Sequence, residues 1–426
     1  MNAFRDRLAN LAAMRVLFTT WAWPSHLYAM VPLAKALRAT GHHVRVATQP
    51  GLLPAVRAAG LPARPAGRDV DTVSMFRDIL TGGRKPGPPR VLSVFGAVAE
   101  AMAGDLVDEV RRWQPDLVVS DPTCWAGPLA AAVSGTPVRR LLYGLDLLSA
   151  FRDDVVSALG PLAGRLGVPG ADPYATPAIS PLPPSLRDGG AEQAMRYVPY
   201  NGPGRPVRLS GPPRNRQRIC VTWGHTMSRL GARFFLADPV VSALAHRTDV
   251  EIVVAVTPAQ RALLPSPPPS VRIVESVPLH RLLPHCRAVI AHGGAGSMLT
   301  ALAAGLPQVL VPQLPDHRAH AARLAATGSA IVVPPDLTGL EAAVTAVLDD
   351  PARATAAGKL RAEMLAQPSP AEVAMAISPF EGDIHARRSD GRCGSPSDQE
   401  VSAGRPRVLG RPVLGPGRSG GPAGHR

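Results

Sequence analysis

Short apolar runs recur along the chain, separated by stretches with the three- and four-residue spacing of helices. Val16-Leu17-Phe18-Thr19-Thr20 reads as a buried strand, and Leu27 to Ala39 as a helix closed at Gly41. Val44 to Ala47 predicts a second strand and Ala55 to Ala59 a short helix closed at Gly60. The polar stretch Asp71 to Pro89, rich in Gly and Pro, predicts a loop. Val91 to Trp113 then predicts a long helix, Asp116 to Ser120 a strand, Trp125 to Val133 a helix and Val138 to Leu142 a strand. From Tyr143 to Arg216 the pattern weakens and proline accumulates, with helical spacing kept over Asp153 to Leu166. The alternation restarts with strands at Ile219 to Thr222, Ile252 to Ala255, Val271 to Val274, Ala288 to Ala291, Val309 to Val311 and Ala330 to Val333. Closing helices follow over Gly339 to Leu348 and Pro351 to Ala366. Short apolar strands alternating with helices predict an α/β fold whose parallel sheets are covered on both faces.

Two such runs predict two Rossmann-like domains, 14–201 and 218–374, joined by a Pro- and Gly-rich linker over 202–217. After about Ala374 the chain turns to Arg, Gly, Pro and Ser without period. The tail Ser378 to Arg426 is therefore expected to be disordered, since it cannot bury enough apolar surface to offset chain entropy.

Composition changes this picture little. The chain has 426 residues, 46% hydrophobic, with no apolar run long enough to span a bilayer. The net charge of +14 is almost all Arg, Lys being confined to Lys35, Lys85 and Lys359, which fits the codon bias of a GC-rich genome. No basic run is interleaved with aromatics, so a nucleic-acid face is not expected. Cys124, Cys220, Cys286 and Cys393 share no metal-ligand spacing, and a cytoplasmic protein without disulfides or a metal site is expected. Residues 1–13 lack a signal-peptide pattern, and Met14 is an alternative start one residue before the first strand.

The most informative segment is Ala291-His292-Gly293-Gly294-Ala295-Gly296-Ser297, between a strand and a helix. Such a turn sets free backbone N–H groups and a helix N-terminus before an anion, and glycine lets the main chain approach closely. An ordinary turn of this kind needs one glycine; several, with a histidine, point to a diphosphate.

In this arrangement the chain resembles the family-one glycosyltransferases of the GT-B fold, the bacterial enzymes that place deoxysugars on polyketide and related scaffolds. The resemblance runs from about Arg15 to Ala374. It rests on Arg15 to Thr20, Ser25-His26-Leu27-Tyr28, Val31-Pro32-Leu33-Ala34, Gly41-His42-His43-Val44, Val277-Pro278-Leu279, His292 to Gly296, and Pro312-Gln313-Leu314-Pro315-Asp316-His317. It implies two domains facing across a cleft, an apolar aglycone in the first and a dTDP- or UDP-sugar in the second. The nucleotide sugar is then a co-substrate, with no further cofactor and no metal, and direct displacement implies inversion.

The same resemblance makes His26 the general base. Imidazole suits that task because it exchanges a proton near neutral pH. Asp121 would orient His26, although Asp121-Pro122 is equally a turn and helix-entry signal. Thr226, in Trp223-Gly224-His225-Thr226, would contact the diphosphate or cap a helix. His225 breaks the family pattern of Gly followed by Thr or Ser. The Val277 backbone would meet the nucleobase. His292, Gly293, Gly294, Gly296 and Ser297 would hold the diphosphate. Asp316 would bind sugar hydroxyls or cap its helix, with His317 replacing the family's Gln. His42 and His43 read as structural. The Pro-rich stretch Leu145 to Tyr200 would line the acceptor pocket. Trp21 to Tyr28 resembles the loop of members that need a cytochrome-P450-like auxiliary protein. A GT-B sugar-nucleotide epimerase and a non-catalytic binding homologue are the alternatives; the latter is prompted by the altered tail, since the segment after Ala374 is not expected to return a C-terminal helix to the first domain.

Overall fold

A computed structural model describes residues 13–377, apart from 84–88, 188, 191, 205, 208, 210, 212–214, 265–267 and 269. Residues 1–12 and the tail Ser378 to Arg426 lie outside it, as does part of the 202–217 linker. Among the described residues the first half carries strands β1 (Arg15–Thr19), β2 (His43–Thr48), β3 (Ala63–Pro65), β4 (Leu117–Ser120), β5 (Val138–Leu141), β6 (Ala178–Ser180) and β7 (Gln193–Ala194). They form one sheet in the order β3-β2-β1-β4-β5-β6-β7, with every neighbouring pair parallel. Its helices are α1 (Pro24–Ala39), α2 (Leu53–Ala58), α3 (Thr72–Thr81), α4 (Val91–Trp113), α5 (Ala126–Val133) and α6 (Arg152–Arg165).

The second half carries β8 (Gln217–Thr222), β9 (Val250–Val256), β10 (Val271–Glu275), β11 (Ala288–Ala291), β12 (Gln308–Leu310) and β13 (Ala330–Val332), all parallel, in the order β10-β9-β8-β11-β12-β13. Its helices are α7 (Met227–Leu230), α8 (Ala237–Leu244), α9 (Pro258–Arg261), α10 (Leu279–Leu282), α11 (Ala295–Ala303), α12 (Pro315–Ala326), α13 (Leu340–Asp349), α14 (Pro351–Ala366) and α15 (Pro370–Ile377).

The alternation of side chains along each strand loads both faces of each sheet. Val16 and Phe18 pack with Leu27, Met30 and Leu33 of α1, whereas Leu17 packs with Val98, Met102 and Leu106 of α4. In the second sheet Ile219 and Val221 meet α8 and α13, and Cys220 and Val289 meet α11 and α14. Cys124, Cys220 and Cys286 are buried free thiols. No helix of the described residues is long and apolar enough to cross a membrane.

Three expectations are corrected. The predicted loop Asp71 to Pro89 contains helix α3, capped by Asp71 Oδ1 accepting from Ser74 N at 3.0 Å. Val73, Phe76 and Leu80 recur on one face, and Phe76 packs against the cores of both halves. The stretch after Tyr143 adds β6 and β7 to the first sheet. These strands are too short to show a period. Finally, a C-terminal helix does return to the first half: Val373 and Ala374 of α15 join the core formed by α1 and β1. The helix Pro370–Ile377 thus packs on the half opposite the one that precedes it.

Candidate functional site

In each sheet the order of strands reverses between two neighbours: β1 and β4 in the first, β8 and β11 in the second. A crevice opens at the carboxyl ends of strands at such a point, and ligands of open α/β sheets sit there. The predicted site residues cluster at these two places.

In the first half, Pro24 starts α1 directly after β1, its fixed φ and missing N–H suiting the first helical turn. That places His26 in the first turn, buried. Asp121 follows β4, and its Oδ2 lies 2.7 Å from His26 Nδ1. Asp121 Oδ1 accepts from Thr123 N at 2.8 Å and from the Thr123 hydroxyl at 2.5 Å, and Trp21 Nε1 donates to that same hydroxyl at 2.9 Å. A carboxylate held from both sides accepts the Nδ1 proton of His26, and this tautomer leaves the Nε2 lone pair for a substrate. Tyr143 packs at a tilt of 41° against His26, with ring centroids 4.1 Å apart. Its phenol is pushed well up by burial and by the charges of Asp121 and Asp316, so it stays protonated. His42 is structural, its Nδ1 accepting from Met14 N at 3.2 Å.

In the second half, Gly294 caps α11, and the helix's first hydrogen bond runs from Met298 N to Gly294 O at 3.0 Å. The amides of Ala295, Gly296 and Ser297 therefore have no intrahelical acceptor and are offered to an anion. The His292 ring wedges between two glycines: a Cβ on Gly224 would stand 2.7 Å from its Cε1, and one on Gly294 2.4 Å from its Nε2. Gly293 has φ +85°, and a Cβ there would meet the His317 carbonyl at 3.0 Å. Burial, and next the neighbouring His317, hold His292 well below the usual imidazole range. Among the described residues neither His292 Nδ1 nor His317 Nδ1, both buried, finds a hydrogen-bond partner.

Neither capping alternative is realised. Thr226 stands at the N-cap of α7 but makes no side-chain cap bond, and the N-cap of α12 is Leu314, with Asp316 in the first turn beyond it. Asp316 Oδ2 lies 3.9 Å from His317 Nε2. Val277 follows Ser276, whose φ is +56°, and neither its N–H nor its C=O bonds to another described residue. Asn201 steadies this corner, its Oδ1 accepting from His280 N at 2.9 Å.

One cavity of about 1340 Å³ takes in both sets of residues. All of the predicted site residues line it except Asp121 and Gly293, which stand behind the wall. Its first-half side is aromatic: Trp21 and Trp23 stack at 4.9 Å, with Phe76 and Phe95 against them. Leu145, Leu148, Phe151, Tyr197 and Tyr200 from the Pro-rich stretch also reach the cavity. Tyr197 is tied across to the second half, its hydroxyl donating to Gly296 O at 3.2 Å, and burial pushes its pKa up to about 12. Sequence reasoning missed Thr123, Tyr143 and His320. His320 Nε2 accepts from Leu145 N at 3.3 Å and so joins α12 to the first half. None of the three sits in a pattern that marks it; their contacts span distant segments. Among the described residues no cluster of His, Cys, Asp or Glu is arranged to hold a metal ion.

This architecture is that of a GT-B glycosyltransferase. The glycosyltransferase SnogD from Streptomyces nogalater superposes with a TM-score of 0.72 at 34% identity, over 86% of this chain and 99% of that one. Glycosyltransferase VinC, solved in complex with dTDP, gives 0.68 at 31% identity over 89% of this chain and 100% of that one. The 10-deoxymethynolide desosaminyltransferase of Streptomyces venezuelae is 36% identical over 409 residues, covering 84% of this chain and 95% of its own. The family model for the N-terminal domain of erythromycin biosynthesis protein CIII-like proteins matches residues 35–86 and 90–224, and that for their C-terminal domain matches residues 240–379. The chain belongs to this family of glycosyltransferases.

Proposed function

We propose that the protein moves a deoxysugar from a dTDP-sugar to a hydroxyl of a polyketide-like aglycone, with inversion at the anomeric carbon. The observation that carries the mechanism is the 2.7 Å contact of His26 Nδ1 with Asp121, on the cavity wall opposite the free amides of α11. His26 Nε2 takes the acceptor's hydroxyl proton while that oxygen bonds to the anomeric carbon. The bond from that carbon to the phosphate oxygen breaks, and the diphosphate leaves with the electron pair. Asp121 stabilises the imidazolium.

The leaving group rests on His292, Gly293, Gly294, Gly296 and Ser297, with Thr226 on the adjacent turn. Oriented amides of this kind stabilise developing negative charge. The Val277 backbone meets the base, and Asp316 with His317 meets the sugar. The aromatic side of the cavity receives the aglycone. VinC was solved with dTDP and the Streptomyces venezuelae relative is a desosaminyltransferase, which supports donor and acceptor of these classes. The buried free thiols fit a reducing cytoplasm.

The test is His26→Ala, assayed with dTDP-deoxysugars and aglycones, with and without a cytochrome-P450-like auxiliary protein. Transfer is expected to fall about 10²- to 10⁴-fold, with dTDP binding kept. A variant that retains full transfer overturns the mechanism. Wild-type epimerisation of the donor without an acceptor overturns the activity.

A further inference from the structure

The turn Trp223-Gly224-His225-Thr226 holds a cavity-lining imidazole, His225, to which the mechanism above gives no role. β8 and β11 are neighbours, with Thr222 paired to Ala291, so this turn and the His292 turn leave adjacent strand ends. Gly224, with φ +58°, makes room for the His292 ring. Gln260 fixes the turn from below, its Nε2 donating to Gly224 O at 2.5 Å and to Ser228 Oγ at 3.2 Å. His225 is half-buried on the cavity wall and packs edge-on against Tyr28 of α1, ring centroids 5.8 Å apart. Its ring forms no hydrogen bond with a described residue, and neither nitrogen is sealed inside the protein. A rigidly mounted imidazole with unused nitrogens, open to the cavity beside a diphosphate turn, is placed to meet an anion.

We infer that His225 is a second imidazole of the diphosphate subsite, binding the donor's phosphates together with His292 and taking up a proton as the diphosphate arrives. This rests on the proposal that the cavity holds a nucleoside diphosphate sugar.

The charged and titratable groups around the pair are few. His225 faces Arg229 on the following helix α7, Tyr28 on α1 and His292 on the β11 turn. His292 faces His225, His317 and His320, and the last two face Asp316. Burial, and then Arg229, hold the His225 pKa down, which favours a neutral ring near pH 7. A diphosphate replaces missing counter-charge and favours the imidazolium, whose hydrogen bond to a phosphate oxygen is charge-assisted. The proton comes from a buffer acid in solvent, whose bond to it breaks as the N–H bond on the ring forms; no other covalent bond changes. During transfer the same imidazolium faces the departing oxygen as its charge grows.

The test titrates the full chain calorimetrically with dTDP, and with thymidine as control, in buffers of different ionisation enthalpy at pH 7 to 8. Wild type is expected to take up protons on binding dTDP and none on binding thymidine. His225→Phe keeps the ring against Tyr28 and removes both nitrogens. It is expected to bind dTDP about tenfold more weakly, with reduced proton uptake and unchanged thymidine affinity. His225→Gln restores a donor and is expected to recover part of the affinity without the uptake. Wild-type dTDP affinity and uptake in His225→Phe overturn the inference and leave the proposed function standing. Equal weakening toward thymidine also overturns it, because the ring then acts by shape. A wild-type protein that binds neither dTDP nor UDP fails the donor proposal itself, and the inference falls with it.

Discussion

His292 owes its position to two residues that have no side chain. Gly224 and Gly294 leave the slot its ring occupies, and Gly293 supplies a positive φ beside the His317 carbonyl. The glycine-rich segment was legible in the sequence as a turn between a strand and a helix. Part of its glycine content answers a different need, the seating of an imidazole, and this shows only when the neighbouring turn from β8 is brought alongside. Gly296 differs, since a Cβ there would meet nothing within 4 Å. Gly294→Ala separates the two roles. The position has φ −66°, which any residue accepts, so backbone strain is not at issue. A methyl 2.4 Å from His292 Nε2 must displace the ring. The expected outcome is a folded protein, with a melting temperature within a few degrees of wild type, that binds dTDP at least about tenfold more weakly. Gly296→Ala would instead reach toward open cavity. Unchanged dTDP affinity in Gly294→Ala would show that the ring position does not matter to the anion.

At the scale of elements, what could be read was what repeats. β1, β4, β11 and the long α4 stand within a residue or two of their predicted bounds, because each carries its own apolar pattern. α3 was hidden because a Gly- and Pro-rich stretch follows it, although Asp71 and the Val73-Phe76-Leu80 spacing mark its start and face. β6 and β7 are held by pairing to a sheet already built, which is tertiary information. α15 was missed as a returning element because its partner, α1, lies more than 330 residues earlier in the chain. Its Val373 is 1% exposed in the first half's core. Val373→Asp would bury an unpaired carboxylate and is expected to cost about 3 kcal/mol, read as a lower urea midpoint. A midpoint unchanged from wild type would mean that α15 does not hold to α1 in solution.

Across the whole molecule, the ionisable groups on the two walls of the cavity differ. The first half contributes His26, paired with Asp121 behind the wall. The second contributes His225, His292, His317 and His320, each held below the usual imidazole range, with burial the largest cause. The positions of His26, Asp121 and His292 were legible because each follows a strand that could be recognised. The convergence of four imidazoles was not, because it needs the order of β8 and β11 and the face of α12. It has a consequence for stability. A histidine whose folded pKa is depressed binds fewer protons when folded than when unfolded. Its contribution is complete above the unfolded value of about 6.5 and is lost as pH falls from there toward the folded pKa. The melting temperature of the free protein is therefore expected to be level above about pH 7 and to fall below about pH 6.5. Saturating dTDP adds stability by mass action, about 2.7 kcal/mol at a hundredfold excess over Kd. Because the diphosphate favours protonated imidazoles, the gap between bound and free melting temperatures is expected to widen as pH falls from 7.5 to 5.5. His317→Gln, which removes one of the buried rings, should flatten the acid slope of the free protein. Parallel bound and free curves across that range would show that the cluster and the diphosphate do not exchange protons.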